Sequence, residues 1–216
     1  MRSERGYWIC AALLVAAAFC ASLWFYPSLP DRVPTHWNVR GQVNAYGPKA
    51  TVFVIPCAML AILGLFAALP WLSPIQFELD TFRSTYLFIT VAFMGMMAYI
   101  HATILWAIAR PPLRMDRAIM GGLFVFLALL GNVMGKVRRN FWIGIRTPWT
   151  LADERVWDAT HRLGGHVMVV AGILGLIATL WGIPMNRLWI FFAAILIPVI
   201  YSLILYKRLN DGAGKS

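Results

Sequence analysis

The chain has 216 residues, of which 60% are hydrophobic and only 13% are charged, and its formal net charge is +10. A soluble domain has about 25% charged residues, so this composition excludes a soluble globular enzyme, a disordered chain and a disulfide scaffold. The apolar residues form six long uncharged blocks, and a bilayer core needs about 20 residues per helix. We therefore predict an all-α, polytopic membrane protein, a bundle of six transmembrane helices with a short interfacial helix.

The blocks predict membrane spans at about residues 7–27, 50–72, 85–109, 118–135, 164–184 and 188–206. None of them alternates apolar and polar residues as the strands of a membrane β-barrel do. The first block follows Arg2 and Arg5 and continues beyond the usual length of a signal peptide's apolar core. We expect it to be a retained helix.

The positive charge lies mainly in the connections between the blocks, where Lys and Arg set topology and contact anionic headgroups. This distribution favours membrane lipid as the partner of the basic residues and disfavours direct nucleic-acid binding. The three cysteines, Cys10, Cys20 and Cys57, lie inside the blocks, where a cysteine behaves as a small apolar residue. We expect neither a disulfide framework nor a metal site, and no cofactor.

Two connections are much longer than the others: residues 28–49 and residues 136–163. Three predicted spans separate them, so they are expected on opposite sides of the membrane. The positive-inside rule favours cytoplasmic termini, and this orientation depends on the basic residues of the second connection. We therefore expect an extracytoplasmic strap at 28–49 and a cytoplasmic loop at 136–163.

The strap is expected to be extended and rigid, because three prolines near its start fix φ and remove backbone donors: Pro27, Pro30 and Pro34. Gly41 suits a turn with positive φ. His36, Trp37 and Asn38 offer a titratable ring, an indole donor and an amide on this stiff segment. Two interpretations stay open: a recognition or lid segment, or an interfacial loop anchored by Trp37 in which the two polar side chains are hydrogen-bonded locally.

The second connection mixes basic and aromatic residues at 138–149, a composition typical of the headgroup layer. Thr150 and Asp153 approximate a capping box, which predicts a short helix over about 151–163 along the membrane surface. Gly164 and Gly165 are then expected to turn the chain into the fifth span. Before this connection, Gly131 and Gly135 form a G-x-x-x-G pair, which permits close helix contact.

The histidines do not form a recognisable catalytic motif. His161 and His166 are five residues apart, whereas two ligands on one helical face need a spacing of four, and no Ser or Cys nucleophile accompanies them. We therefore predict that the chain is not an enzyme. His101 lies within the third span, where an ionisable residue is a functional candidate by default; the alternative is a neutral ring bonded to Thr103 or to a helix carbonyl.

A composite motif between residues 131 and 165 consists of Gly131, Asn132, Lys136, Asn140, Gly144–Trp149, Trp157, Thr160–Arg162 and Gly165. This motif resembles the signature of the SdpI family. The strap from Leu29 to Gly41 resembles the domain of unknown function that often precedes this signature. The family comprises integral membrane proteins of bacteria, including immunity proteins against a sporulation-delaying toxin, and its best-known member also retains a transcriptional repressor at the membrane.

The resemblance implies a multi-pass protein of the bacterial cytoplasmic membrane that senses or sequesters a membrane-active peptide toxin outside. A cytosolic repressor protein is a further possible partner, at the basic loop. The candidate contacts are His36, Trp37, Asn38 and Gly41 on the strap, and Asn132, Asn140, Gly144, Arg146, Thr147, Trp157, His161 and Arg162 of the signature. The alternative is a small membrane transporter or proton-linked channel that uses His101 and the region of Asn132.

Overall fold

A computed structural model describes residues 2–73, 79–110, 113–183 and 187–213. Its helices are α1 Arg2–Phe25, α2 Val54–Leu72, α3 Arg83–Ala109, α4 Met115–Met134, α5 Pro148–Ala152, α6 Glu154–Leu180 and α7 Arg187–Ala213. Two strands, β1 Arg32–Trp37 and β2 Val43–Pro48, form one antiparallel hairpin. In this part of the chain, six helices are long and apolar enough to cross a membrane, which confirms the predicted all-α, multi-pass class.

The chain divides into two compact units, and the first comprises Met1–Ala67 and Leu87–Leu123. Its helical core is built on small residues of α1 that recur at helical spacing, Ala11, Val15 and Ala18, and these pack with Met59 and Met94. Small side chains on one face let neighbouring helices approach closely, which is how helices associate where lipid removes the usual hydrophobic driving force. The opposite face of α1 keeps large apolar residues exposed.

Two buried polar side chains of the first unit, Ser22 and His101, hydrogen-bond each other. His101 Nε2 lies 2.9 Å from Ser22 Oγ and 3.2 Å from the carbonyl oxygen of Ala18. Ser22 Oγ in turn donates to the carbonyl of Val52, at 3.1 Å. Of the two interpretations of His101, the hydrogen-bonded ring therefore matches the structure, although the carbonyl belongs to α1 and the hydroxyl is that of Ser22 rather than Thr103.

The second unit comprises Ala68–Tyr86 and Phe124–Ser216, and glycines bring α4 and α6 into backbone contact. A Cβ atom on Gly131 would lie 2.8 Å from the carbonyl oxygen of Gly165, and one on Gly172 would lie 2.7 Å from that of Phe124. The contact expected from the G-x-x-x-G pair is thus present. Helix α7 packs along α6, where Gly164 faces Pro198.

The structure corrects the expectation of a separate short helix at 151–163. Helix α6 runs without a break from Glu154 through Gly164 and Gly165 to Leu180, so those glycines do not turn the chain. They are helix-contact positions, because each lies against the backbone or a proline of a neighbouring helix. The short helix lies earlier, at Pro148–Ala152.

Candidate functional site

The tip of the hairpin is closed by the side chain of Asn38. Its Oδ1 accepts hydrogen bonds from the backbone N–H groups of Arg40, at 2.9 Å, and Gln42, at 3.0 Å. Gly41 adopts φ 74°, as predicted, and a Cβ there would lie 2.9 Å from the backbone nitrogen of Asp116. The tip is therefore fixed both by its own amide and by a close approach to the beginning of α4.

The base of the hairpin is held by an apolar cluster and an ion pair. Val33 of β1 is fully buried and belongs to a cluster with Leu29, Val52 and Leu105. Lys49 Nζ lies 3.6 Å from Asp31 Oδ1, and the Lys49 backbone N–H donates to the carbonyl of Asp31. The strap predicted from its prolines is thus a hairpin fixed at both ends.

Between these ends the hairpin presents an exposed surface. Val39 is 80% exposed and Tyr46 is 55% exposed, and Trp37 is half-buried. His36 is exposed, with its Nδ1 2.5 Å from Asn44 Oδ1. The local hydrogen bonding expected under the interfacial interpretation is present for His36 and Asn38, and the apolar side chains beside them face outward.

In the second long connection, Asn140 organises the backbone. Its Oδ1 accepts from the N–H groups of Trp142 and Ile143, both at 2.7 Å, and its Nδ2 donates to the carbonyls of Arg138 and Ile143, at 2.8 and 2.9 Å. The side chain is fully buried. All of the ordinary hydrogen-bonding capacity of this amide is therefore used inside the loop.

Trp157 and His161 form a buried stack that supports the same loop. Their ring centroids are 4.0 Å apart, and Trp157 Nε1 donates to the carbonyl of Val137 at 2.8 Å. His161 Nδ1 donates to the carbonyl of Trp157 at 2.8 Å, and its Nε2 accepts from the N–H of Ile145 at 3.0 Å. Both ring nitrogens are occupied by backbone groups, so the imidazole is neutral in this arrangement.

Gly144 is required where the loop crosses this stack. It adopts φ 117°, and a Cβ on it would lie 2.4 Å from His161 Nε2. A side chain is therefore disfavoured both by the backbone conformation and by the histidine.

Threonines close the loop onto α5. Thr147 is the N-cap of α5 and forms a capping box with Thr150, and Pro148 follows at the first helical position. The predicted pairing of Thr150 with Asp153 is wrong: Thr150 is fully buried and donates into the loop, and Asp153 caps α6 instead. The hydrogen bond from the Arg155 side chain holds the pKa of Asp153 below its usual range.

The remaining candidate contacts of the signature lie at the surface. Asn132, Arg146 and Arg162 are exposed. The Arg146 guanidinium donates to the carbonyl of Phe141, and the stem of Arg162 passes along Gly135. The structure therefore brings Asn140, Gly144, Thr147, Trp157 and His161 together around one loop and leaves the other three at its margin.

Several residues of this region were not anticipated as functional. Trp142 Nε1 donates to Ser73 Oγ at 2.8 Å, and Trp149 Nε1 donates to Ser202 Oγ. Two indoles therefore connect the loop to the residue that follows α2 and to α7. For the start of α5 the sequence carried a usable signal, since Thr147 followed by Pro148 is typical of an N-cap and first helical residue. Within the described residues, no group of three or more His, Cys, Asp and Glu side chains could hold a metal ion.

Comparison with known proteins gives a match that includes the hairpin and another that includes the second long connection. Residues 136–207 match the SdpI/YfhL protein family, and residues 13–60 match a domain of unknown function, DUF1648. The chain is 29% identical over 212 residues to Immunity protein SdpI of Bacillus subtilis (strain 168), an alignment that covers 94% of this chain and 97% of that protein. No solved structure matches the chain. These matches confirm the resemblance inferred from the composite motif and the strap.

Proposed function

We propose, from the match of residues 136–207 to the SdpI/YfhL protein family, that the chain is an immunity protein that captures a membrane-active peptide toxin at the outer surface of the bacterial cytoplasmic membrane. Capture holds the peptide away from the lipid that it would otherwise disrupt. The similarity to an immunity protein extends along 94% of the chain, so it includes both the hairpin and the signature loop.

The observation that carries the proposal is the preformed hairpin surface. Because the tip and the base are both fixed, the exposed Val39 and Tyr46 are presented without a further ordering cost, which favours binding. Exposed apolar side chains beside hydrogen-bonding groups such as His36 suit an amphipathic peptide. In the connection at residues 136–163, called here the signature loop, the buried side chains of Asn140, Thr150 and His161 already have hydrogen-bond partners, which supports a role for that loop as a scaffold.

The proposal places the hairpin outside and the termini in the cytoplasm. Single cysteines at Asn44 and Glu154, both exposed positions, would report their compartments in a variant that lacks Cys10, Cys20 and Cys57. A membrane-impermeant maleimide added to intact cells should label the cysteine at 44 and not the one at 154. The reverse pattern, or labelling of both, contradicts this orientation.

The test of function is survival of a toxin-sensitive bacterium that lacks an immunity gene. Expression of the chain should raise survival in purified sporulation-delaying toxin by at least about tenfold, and the double variant Val39→Ser/Tyr46→Ser should lose most of this protection because two contact side chains are gone. Phe141→Ser is the matched control, since Phe141 is an exposed aromatic residue of the signature loop. Survival equal to that of cells with an empty vector would refute the proposal.

For the cytoplasmic side, we propose that the exposed basic surface of the signature loop docks a cytosolic repressor protein when toxin is bound. The support is the exposed Arg146, which lies on a rigid loop. Affinity purification of the tagged chain from membranes, with and without toxin, should recover a toxin-dependent cytosolic partner, and Arg146→Gln should weaken the recovery. Equal recovery in all three samples would remove this part of the proposal.

The hydrogen bonds of His101 favour a structural role over a proton pathway, because Ser22 and the Ala18 carbonyl occupy its Nε2 side. The transporter alternative predicts substrate-dependent flux in liposomes that disappears in His101→Ala. Under the immunity proposal, no such flux is expected.

A further inference from the structure

The crossing of α4 and α6 has one flank that differs in chemistry from an ordinary lipid-facing surface. Gly131 lies against Gly165, and Gly135 lies against the Cγ of Arg162, 3.6 Å from the position of a Cβ. These contacts fix which faces of the two helices meet. They also bring the stem of Arg162 onto the bare backbone at the end of α4.

Helical geometry then places four polar side chains on that flank. Residues advance by about 100° each around a helix, so Asn132, one position after Gly131, lies to one side of the contact face of α4. Lys136 follows Gly135 in the turn that ends this helix, where its N–H donates to the carbonyl of Val133, and it lies on the same side. On α6, which runs antiparallel to α4, Arg162 and His166 lie on the matching side of the contact face. All four residues are exposed.

The two cations of this flank are not neutralised by the protein. Among the described residues, neither Lys136 nor Arg162 has a carboxylate within ion-pair distance, whereas neighbouring basic residues do: Arg155 pairs with Asp153 at 2.8 Å and Arg138 with Asp158 at 3.9 Å. His166 Nδ1 is bonded to the carbonyl of Arg162 at 2.8 Å, which orients its Nε2 as a further polar group.

The depth of these residues matches the headgroup layer. Helix α6 has 27 residues, a length of about 40 Å, which exceeds a hydrocarbon core by about 10 Å. Arg162 lies about 12 Å along it from its first residue, close to the expected boundary. Towards the membrane interior the same flank becomes apolar, with Val125 of α4 44% exposed and Ile173 of α6 51% exposed.

We propose that this flank is a binding site for one anionic phospholipid, with its phosphate held by Lys136 and Arg162, its headgroup by Asn132 and His166, and an acyl chain along Val125 and Ile173. Cations without a carboxylate partner beside exposed apolar side chains match the chemistry of such a lipid and not that of a soluble anion. The residues of this site differ from those of the hairpin, and the inference does not depend on the immunity proposal.

The test uses the full chain, stripped of lipid in detergent, and counts retained lipids by native mass spectrometry. One phosphatidylglycerol should be retained in preference to phosphatidylcholine with the same acyl chains. Lys136→Gln/Arg162→Gln should lower the retained fraction at least about fivefold, and Arg162→Lys should preserve most of it, because charge is the main contribution. The matched control is Lys207→Gln/Arg208→Gln, which removes the same charge from exposed positions of α7.

Two further measurements separate a lipid from other anions. Inorganic phosphate and glycerol phosphate should not reproduce the rise in melting temperature that phosphatidylglycerol gives, and Ile173→Trp should lower lipid retention while both cations remain. Equal loss in the two double variants would indicate diffuse attraction and overturn the site. Full stabilisation by inorganic phosphate, or unchanged lipid retention in Ile173→Trp, would contradict the assignment of a lipid as the ligand. The Ile173→Trp measurement remains informative even if Lys136→Gln/Arg162→Gln fails to fold.

Discussion

The hairpin and the signature loop look alike as sequences, since both carry Trp, His, Asn, Arg and a turn glycine between apolar spans, yet the structure uses them in opposite ways. In the hairpin, Asn38 closes its own turn and the apolar side chains stay outside. In the loop, Asn140 is buried and bonds four backbone groups. A polar residue in a membrane-protein loop can therefore belong either to a scaffold or to a binding surface. Only its hydrogen-bond partners distinguish these two roles.

The largest expected difference in unfolding free energy, between a residue of the scaffold and one at the surface, is at tryptophan. Trp157→Ala removes a fully buried ring, its stack on His161 and a hydrogen bond to Val137, so the free energy of unfolding should fall by about 3–5 kcal/mol. Trp189→Ala, at a position 70% exposed on α7, is the matched control and should change it little. Unfolding by sodium dodecyl sulfate in mixed micelles measures both. Equal effects would show that Trp157 is not part of a packed core.

The two asparagines test the comparison directly. Asn140→Leu keeps the approximate size but leaves two half-buried N–H groups and two carbonyls without their partner. Each such group costs about 1–3 kcal/mol where water does not reach it, so we expect a total loss of about 3 kcal/mol. Asn38→Leu removes the bonds of an exposed turn, where water replaces them, and should cost about 1 kcal/mol. The losses of unfolding free energy in the two variants, each measured against wild type, should therefore differ by a factor of about three. Similar losses would mean that the loop and the hairpin are equally solvated.

Among the glycines with positive φ, Gly41 and Gly144 should perturb different parts of the structure when a Cβ is added. Gly144→Ala strains the backbone and displaces His161, at a cost of about 2 kcal/mol, and hydrogen exchange should rise at Ile145 and through the loop. Gly41→Ala meets the backbone at Asp116 and should cost about 1–2 kcal/mol, with faster exchange confined to residues 38–42. Faster exchange of the signature loop in Gly41→Ala would contradict the separation of these effects.

Local signals explain what the sequence could predict. Uncharged blocks of sufficient length indicate membrane helices, prolines indicate an extended strap, and Gly41 indicates a positive-φ turn, because each property belongs to the residues themselves. The second strand, Val43–Pro48, was missed because its residues do not alternate and it forms only by pairing with β1. The partners of His161 lie up to 16 residues away in sequence, and Ser73 lies 69 residues from Trp142, so those contacts depend on the packed tertiary structure.

The continuity of α6 has the same explanation. Gly164 and Gly165 weaken an isolated helix and therefore favoured a turn in the sequence. In the folded chain they allow close contact with Pro198 and with the carbonyl of Gly131. Packing with neighbouring helices outweighs the intrinsic preference of glycine.

The smallest expected effect is at the beginning of α6. Asp153→Ala removes an N-cap that accepts from the Arg155 N–H at 2.8 Å, which should lower the free energy of unfolding by about 1 kcal/mol at neutral pH. Because the hydrogen bond from Arg155 lowers the pKa of Asp153, the carboxylate stabilises the folded chain at neutral pH, and this contribution is lost as the pH falls through the folded-state pKa. The difference between wild type and Asp153→Ala should therefore shrink as the pH is lowered to about 3. Glu154→Ala removes the neighbouring carboxylate and is the control for effects of low pH on the rest of the chain. If the stability difference between wild type and Asp153→Ala stays constant with pH, the carboxylate charge does not contribute to the cap.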